Sequence, residues 1–262
     1  MLKEMKNRSF GYLVNRKWFF LFSAGYTIFI GLPFLAPVLM QLDFPKAAGA
    51  IYSIYQFLCH QFPQRSFFLF GDKLMYSLQE IQSAWQVTVN PLILRKFIGS
   101  PQMGWKVAWS DRMISMYTSI LFVSWIWYPL RKKIKPPPFW AFALFLLPMA
   151  IDGFTHMISD FSGIGQGFRD SNLWLAQLTG FKYSAAFYAG DALGSFNSWM
   201  RFMTGIIFGI GVVLYGFPYI AEIFETNAEN FEAREDKLTL LKEKAIRDIQ
   251  DFRDQKSLER NN

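Results

Sequence analysis

The sequence predicts an all-α integral membrane protein, a helix bundle with about four transmembrane helices and both termini in the cytoplasm. Apolar residues gather in blocks about as long as a bilayer is thick, roughly 20 residues per helix. Charged residues are dense between these blocks and almost absent inside them. A composition of 52% hydrophobic residues would also suit a soluble domain. The distribution of apolar residues, and not their number, therefore decides the class.

Four spans are predicted from these blocks. They are residues 18–40, 107–130, 139–159 and 199–220. The first contains Pro33 and Pro37, which membrane helices tolerate better than soluble ones. It follows a basic segment, residues 1–17, but is too long to be a signal-peptide core of 7–15 residues. The fourth contains Gly205-x-x-x-Gly209, a spacing that lets helices approach closely.

Orientation follows from the lysines and arginines, which concentrate in cytoplasmic loops. Basic residues flank the first two spans at Lys3, Lys6, Arg8, Arg16 and Lys17, and at Arg131, Lys132, Lys133 and Lys135. Both segments should be cytoplasmic, and an even number of spans returns the C-terminus to the same side. The sequence therefore predicts a multi-pass protein located in the cytoplasmic (inner) membrane. Its net charge of +7 is explained by topology and anionic lipid, so no nucleic-acid partner is expected.

The first loop outside the membrane is predicted to hold two interfacial helices within residues 48–98. Two sets of apolar residues each fall on one helical face: Ile51, Ile54, Tyr55, Leu58 and Phe62, and then Leu74, Leu78, Ile81 and Trp85. The second outside loop, 160–198, is rich in Gly, Ser and Asn. It should be irregular, with a short helix around 172–188.

Residues 222–262 form a charged segment that predicts a cytoplasmic amphipathic helix continuing from the fourth span. Phe224, Phe231, Leu238, Ala245 and Phe252 recur every seven residues. A coiled coil needs a second apolar row, and that row is mixed here. Two interpretations stay open: the helix lies on the protein's own cytoplasmic face, or it docks a partner.

Polar side chains in the predicted spans are candidates for function because they are unfavourable in lipid unless paired. Asp152 lies 13 residues into the third span, in the outer half of the bilayer, and His156 follows on the same helix face. Other polar groups are also predicted to lie on the extracytoplasmic side of the membrane. The candidate polar site comprises Cys59, His60, Arg65, Asp111, Arg112, Asp152, His156, Asn197 and Arg201.

Several chemistries fit these residue types. Asp152 and His156, with His60 and Cys59, could ligate zinc or another divalent metal. The alternative is an Asp152–arginine ion pair with His156 hydrogen-bonded nearby. Cys59 as a nucleophile with His60 as its base is a weaker pattern, because adjacent residues seldom face each other. The metal and any cofactor stay unknown from the sequence.

The arginines allow a different site. Arg65, Arg112 and Arg201 could form a cradle for a phosphate or carboxylate group. The alternative is that they neutralise Asp111 and Asp152, or extend to lipid phosphates. No phosphate-binding loop, dinucleotide fingerprint, nucleophile elbow or zinc-protease motif occurs in the sequence.

Four short stretches carry a resemblance to a known family. They are Cys59-His60-Gln61-x-Pro63-x-Arg65-Ser66-Phe67-Phe68-x-x-Gly71, then Arg112 with Tyr117, then Pro148-x-x-x-Asp152-Gly153-x-Thr155, and finally Ser195-x-Asn197-x-x-x-Arg201-x-x-Thr204-Gly205-x-x-x-Gly209. This pattern resembles an uncharacterised integral-membrane family, the domain of unknown function 2085. The resemblance implies a membrane location and a shared outer polar site, and it implies no activity.

The chain departs from that family in three ways. Ser110-Asp111-Arg112-Met113 stands where many members carry Cys-x-Arg-Cys, so a metal or thiol site built on those cysteines is absent in that form. Insertions fall at roughly 72–106 and 160–190. His156 stands where glutamine is expected.

The leading functional expectation is a subunit or accessory factor of a membrane assembly, with its partner bound through the C-terminal helix or with the chain as a homo-oligomer. The alternative is a membrane enzyme, or a metal- or anion-binding site, at the extracytoplasmic face using Asp152, His60, Arg112 and Arg201. A small transporter ranks third, because the four spans show no inverted repeat.

Overall fold

The computed structural model describes the backbone of residues 9–261 and the side chains of residues 9–251 and 253. Within that range, four helices are long and apolar enough to cross a membrane: Trp18–Gln41, Asp111–Leu130, Phe139–Asp160 and the first part of a helix that begins at Phe196. The all-α membrane fold is thereby confirmed. The direction in which the bundle crosses the membrane stays a prediction.

The described elements follow one another along the chain. They are α1 (Phe10–Arg16), α2 (Trp18–Gln41), α3 (Pro45–Tyr55), a 3₁₀ turn (Pro63–Arg65), β1 (Ser66–Leu69), α4 (Leu78–Ala84), α5 (Pro91–Leu94), β2 (Gly99–Ser100), β3 (Gly104–Ser110), α6 (Asp111–Leu130), α7 (Phe139–Asp160), α8 (Phe168–Ser171), α9 (Leu173–Leu178), α10 (Ala185–Tyr188) and α11 (Phe196–Asn261). Described residues up to Ser23 and from Pro218 onward form one compact unit, and Ala24–Phe217 form the other.

A small antiparallel sheet, in the order β1-β3-β2, precedes the second span. Residues 107–110 were predicted to open that span, but they belong to β3, and α6 begins at Asp111. Val107, Ala108 and Trp109 are completely buried, so their apolar character comes from packing inside the protein. Because β3 runs directly into α6, the sheet fixes the position of Asp111 and Arg112.

Helix α3 is shorter than the predicted apolar face. Ile51 and Tyr55 are buried as expected, but Ile54 is exposed and the helix ends at Tyr55. The hydroxyl of Tyr55 donates to the carbonyl of Phe29 at 2.7 Å, which ties this end to α2. The chain then turns, and Gln61 adopts a φ of +54°. The prediction that one helix face continues to Leu58 and Phe62 was therefore wrong.

The second predicted interfacial helix is also short. Helix α4 covers only Leu78–Ala84 and is closed at its start by a capping box between Ser77 and Glu80. Leu74 precedes the helix, and Trp85 ends it. Helix α5 and strand β2 occupy the rest of this loop, so helical and extended pieces alternate where two longer helices were predicted.

The paired glycines of the fourth span pack within this chain. A Cβ at Gly205 would lie 2.1 Å from Ser115 Oγ, and a Cβ at Gly209 would lie 2.0 Å from Ser119 Oγ. Both serines belong to α6. The Gly-x-x-x-Gly spacing therefore lets α11 approach α6, and it does not by itself call for a second chain.

In the unit formed by the described residues up to Ser23 and from Pro218 onward, α1 packs along the distal part of α11. The backbone N–H of Ser9 donates to Glu235 Oε1 at 2.9 Å. Trp18 stacks on Phe224 with ring centroids 5.4 Å apart. Phe231 lies so close to Gly11 that a Cβ there would meet its ring at 2.8 Å. The first members of the seven-residue repeat thus pack on the N-terminal segment.

The rest of that repeat is different. Leu238 is 49% exposed and Ala245 is also exposed, while the side chain of Phe252 lies outside the described residues. Helix α11 continues through this region without a break as far as Asn261.

Candidate functional site

Arginines and aspartates meet at one end of the bundle, where α6 and α11 begin and α7 ends. We name the following eight residues the charge cluster: Arg65, Arg112, Arg169, Arg201, Asp111, Asp152, Asp160 and Asp191. Four positive and four negative charges make it neutral. Buried charges are tolerated when they are paired and hydrogen-bonded, which is the arrangement found here.

Arg201 is the centre of one half of the charge cluster. Its Nε and Nη2 donate to the carboxylate of Asp111, each at 2.8 Å, although the two residues are 90 positions apart. Its Nη1 donates to Asp191 Oδ1 at 2.6 Å. The Arg201 side chain is only 2% exposed, so these contacts replace its hydration. They connect the start of α6 to the start of α11.

Arg65 extends this half toward α7. Its two terminal nitrogens donate to the carboxylate of Asp160 at 2.9 and 2.8 Å, the two-pronged geometry that makes arginine–carboxylate pairs strong. Its Nε donates to Asp191 Oδ2 at 2.7 Å. Asp191 thus bridges two arginines. Burial alone would raise the pKa of the Asp191 carboxyl, but Arg65 and Arg201 outweigh burial and hold that pKa well below its usual range.

Asp152 is the centre of the other half. Its Oδ1 accepts from Arg169 Nη2 at 2.7 Å and its Oδ2 from Arg112 Nη2 at 2.6 Å. Both oxygens are therefore engaged by arginine. His156 Nε2 lies 3.1 Å from Arg169 Nη2, and His156 Nδ1 is buried and has no hydrogen-bond partner among the described residues.

Asn197 holds Arg169 in place. Its amide nitrogen donates to the carbonyls of Arg169 and Gly190 at 2.7 and 2.9 Å, and its amide oxygen accepts from Arg169 Nε at 3.1 Å. Asn172 adds a hydrogen bond to the carbonyl of Tyr188. The segment between α7 and α11 was predicted as mainly irregular with one short helix, and it is ordered by these buried amides around α8, α9 and α10.

A cavity of about 420 Å³ lies beside the charge cluster, in the range of small-molecule sites. It is lined by six of the nine predicted site residues: Cys59, His60, Arg65, Arg112, His156 and Arg201. Asp111, Asp152 and Asn197 are buried and do not line it. The structure thus brings the predicted residues together. Six of them form part of the cavity wall, and the other three are buried and do not line the cavity.

The wall of the cavity is positively charged although the whole cluster is neutral. Three arginines and one carboxylate, Asp160, line the cavity, which gives an excess of two positive charges there. Arg112 is the least engaged of the arginines. Within the described residues its guanidinium donates one hydrogen bond, from Nη2, and its Nε has no partner. A Cβ at Gly153 would lie 3.3 Å from Arg112 Nη1, so the glycine leaves room for this group.

Cys59 and His60 do not form a nucleophile–base pair. Cys59 Sγ lies 3.6 Å from Ser110 Oγ and accepts from the N–H of Gln61 at 3.4 Å. His60 is exposed, and its ring stacks on Phe62. No hydrogen bond joins the two side chains in the described part of the chain. Among the same residues no group of three or more His, Cys, Asp or Glu side chains is placed to hold a metal ion.

Lys106 is a buried cation outside the set of site residues predicted from sequence. It lies in β3 with no exposed surface, and its Nζ donates to the carbonyls of Gln61 and Arg95 at 2.8 and 2.7 Å. Burial lowers the pKa of this ammonium to about 7. Its bonds fasten the segment that carries Cys59 and His60 to the sheet.

Arg169, Asp160 and Asp191 were also missed. One signal could have revealed the acids: the predicted set contains three arginines but only two aspartates. A buried set of charges has to be close to neutral, so the imbalance pointed to a further carboxylate. All three residues lie at the ends of α7 and α11 or between them.

Comparison with known proteins agrees with the resemblance stated from sequence. Residues 102–190 match the family described as Predicted membrane protein (DUF2085), which confirms the resemblance over that range. The stretches with Arg112 and Asp152 lie inside the match, and those at 59–71 and 195–209 lie outside it. Uncharacterized protein MJ1492 of Methanocaldococcus jannaschii is 29% identical over 216 residues, covering 79% of this chain and 96% of that protein. No solved structure matches the chain.

Proposed function

We propose that this membrane protein, similar over residues 102–190 to the DUF2085 family, binds an anionic group in the cavity beside the charge cluster. One observation carries the proposal. Arg112 lines the cavity while Nη2 makes the one hydrogen bond of its guanidinium within the described residues, to Asp152. A guanidinium with open donors, in a wall with excess positive charge, is suited to an oxyanion.

His156 supports the same ligand class. It lines the cavity, is 3% exposed, and its Nδ1 has no hydrogen-bond partner in the part of the chain that the structure describes. An unpaired buried nitrogen is unfavourable, and an oxyanion beside Arg112 could accept a hydrogen bond from it. The predicted orientation of the helices places this cavity at the extracytoplasmic side of the cytoplasmic membrane.

Binding is better supported than catalysis. An acid–base role for Asp152 would need a free carboxylate oxygen, and both oxygens accept from Arg112 and Arg169. The alternative of an enzyme using Asp152, His60, Arg112 and Arg201 therefore assigns Asp152 a positioning role. His60, Arg112 and Arg201 would still meet a ligand in the cavity.

Cys59 provides the test. It is the chain's one cysteine, it is buried, and it lines the cavity. Inorganic phosphate added to the full-length protein in mild detergent should slow maleimide labelling of Cys59. Arg112→Gln should raise the phosphate concentration for half protection at least tenfold, whereas Arg95→Gln, a control arginine bonded to Gln56 at the surface, should not. Equal protection of both variants would refute the proposal.

A second role, as a subunit or accessory factor of a membrane assembly, is favoured by the distal part of α11. Leu238, Leu241, Ile246 and Ile249 are each about half exposed on a helix that continues beyond the predicted span. Apolar residues gathered on an exposed surface commonly mark an interaction site. A protein partner or a second copy of this chain would cover them.

Native mass spectrometry of the protein purified from its own membrane tests this role. Additional protein mass is expected, and Leu241→Gln should remove it. Thr239→Gln, on the same turn, is the matched control. A chain that stays alone at native abundance would exclude the assembly role.

A further inference from the structure

The cavity is bounded by two of the candidate membrane spans. Arg112 and Met113 come from the first turn of α6. The α7 residues that line it share one helix face: Gly153, His156, Met157 and Asp160. Phe161, which directly follows the helix, also lines the cavity. Because both helices are long and apolar enough to cross a bilayer, a ligand in the cavity lies beside the apolar surface that would contact lipid.

The two parts of the wall differ in chemistry. Arg112 Nη1 makes no hydrogen bond within the described residues, and His156 lines the cavity with a buried Nδ1 that has no partner among the same residues. Met157, on this face of α7, and Phe161, directly after the helix, are apolar and are 47% and 80% exposed. They continue from the cavity wall to the outer surface of the helix. A free anion would bind the polar part of the wall and leave the Met157 and Phe161 side chains uncovered.

We propose, building on the anion site above, that the natural ligand is a lipid whose headgroup carries an oxyanion. The headgroup occupies the cavity against Arg112 and His156, and an acyl chain leaves past Met157 and Phe161 along α7. A volume of about 420 Å³ suits a phosphate-bearing headgroup and leaves the acyl chains outside, in contact with the span. Apolar contact along the chain then adds to the affinity of the head.

The excess positive charge of the wall selects among lipids. The excess of two positive charges on the cavity wall favours a headgroup with net negative charge, such as phosphatidic acid, over a zwitterionic one. Aspartate oxygens at the back of the charge cluster are already engaged by arginine, so they offer little to a positive headgroup.

The experiment compares three probes on the full-length protein in mild detergent: phosphatidic acid, phosphatidylcholine and inorganic phosphate. Protection of Cys59 from maleimide and bound mass by native mass spectrometry are the two readouts. Phosphatidic acid should protect at a concentration at least tenfold below that of phosphate, and phosphatidylcholine should protect least.

Variants distinguish the contribution of the lipid headgroup to binding from that of the acyl chain. Met157→Asn should weaken phosphatidic acid at least fivefold and leave phosphate unchanged, while Met203→Asn, a control methionine with the same 47% exposure on another span, should change neither. Arg112→Gln should weaken both probes.

Each other outcome has a definite meaning. Equal potency of phosphate and phosphatidic acid, with no effect of Met157→Asn, would overturn the lipid inference and leave the anion site intact. If Arg112→Gln binds phosphatidic acid as tightly as the wild type does, the bound lipid lies on the protein surface and not in the cavity. That result would overturn the inference. If none of the three probes shows binding that depends on Arg112, the anion site would be overturned as well.

Discussion

Asp191→Asn is expected to destabilise the protein strongly while changing its shape very little. Asp191 accepts from Arg65 Nε at 2.7 Å and from Arg201 Nη1 at 2.6 Å, and it is 5% exposed. Asparagine has nearly the same volume but no charge. The charge cluster would change from neutral to one excess positive charge in a buried setting.

The magnitude follows from the partners that remain. Removing one member of a buried ion pair costs about 3–5 kcal/mol. Each arginine keeps one carboxylate, Asp160 for Arg65 and Asp111 for Arg201, so the lower end, about 3 kcal/mol, is expected. For a chain of this size that corresponds to roughly 6–12 °C in melting temperature.

Thermal unfolding of the full-length protein, followed by exposure of Cys59 to a maleimide dye, measures the loss. Asp72→Asn, an exposed aspartate, is the control and should shift the melting temperature negligibly. The low pKa of Asp191 also sets a pH window. The stability that it provides is present above its unfolded pKa of about 3.9 and is lost as the pH falls through the lower folded value. The gap between variant and wild type should therefore persist from pH 4 to 8.

A melting temperature for Asp191→Asn within 2 °C of the Asp72→Asn control would refute this reasoning. It would mean that the arginines reach water or other acceptors at negligible free-energy cost. A gap that closes near pH 6 would refute the electrostatic cause, because Asp191 should stay ionised there.

Three further predictions follow. Gly209→Ala should destabilise the protein by about 2 kcal/mol in thermal unfolding because its Cβ would strike α6. Gly216→Ala is the control: the added Cβ would have no described atom within 4 Å, so this change should cause no loss of stability. Wild-type stability should rise from about pH 7 to 10.5, where the unfolded chain retains a proton that folded Lys106 has lost; calorimetry of Lys106→Met should show no such rise. Trp18→Ala removes the stack on Phe224 and should speed limited proteolysis near the N-terminus; an unchanged rate would contradict that packing.

The spans could be predicted from sequence because an apolar block of membrane length is typical of a helix that crosses a bilayer. The start of α6 could not, since Val107, Ala108 and Trp109 are apolar for a different reason: they fill the core beside the sheet. A hydropathy pattern reports burial and does not distinguish burial in protein from burial in lipid. Strand β3 was therefore merged with the span that follows it.

The candidate site was predicted where polar residues contrast with apolar surroundings. Asp152 and Arg201 lie in apolar helices and were identified for that reason. Arg169 and Asp191 lie in a polar segment, where one more charge carries no signal. Their role depends on a fold that returns this segment to the helix ends, and the spacing of residues does not reveal that return.

The partners within the charge cluster are made at different times on the ribosome. Arg112 precedes Asp152 by 40 residues, and Asp111 precedes Arg201 by 90. When α6 enters the membrane, both of its charges therefore lack their final partners. Both residues lie in the first turn of α6, at the end of the span and not in its middle. The charge cluster can form completely only after α11 has been synthesised, so a chain truncated before residue 196 should leave Asp111 without Arg201.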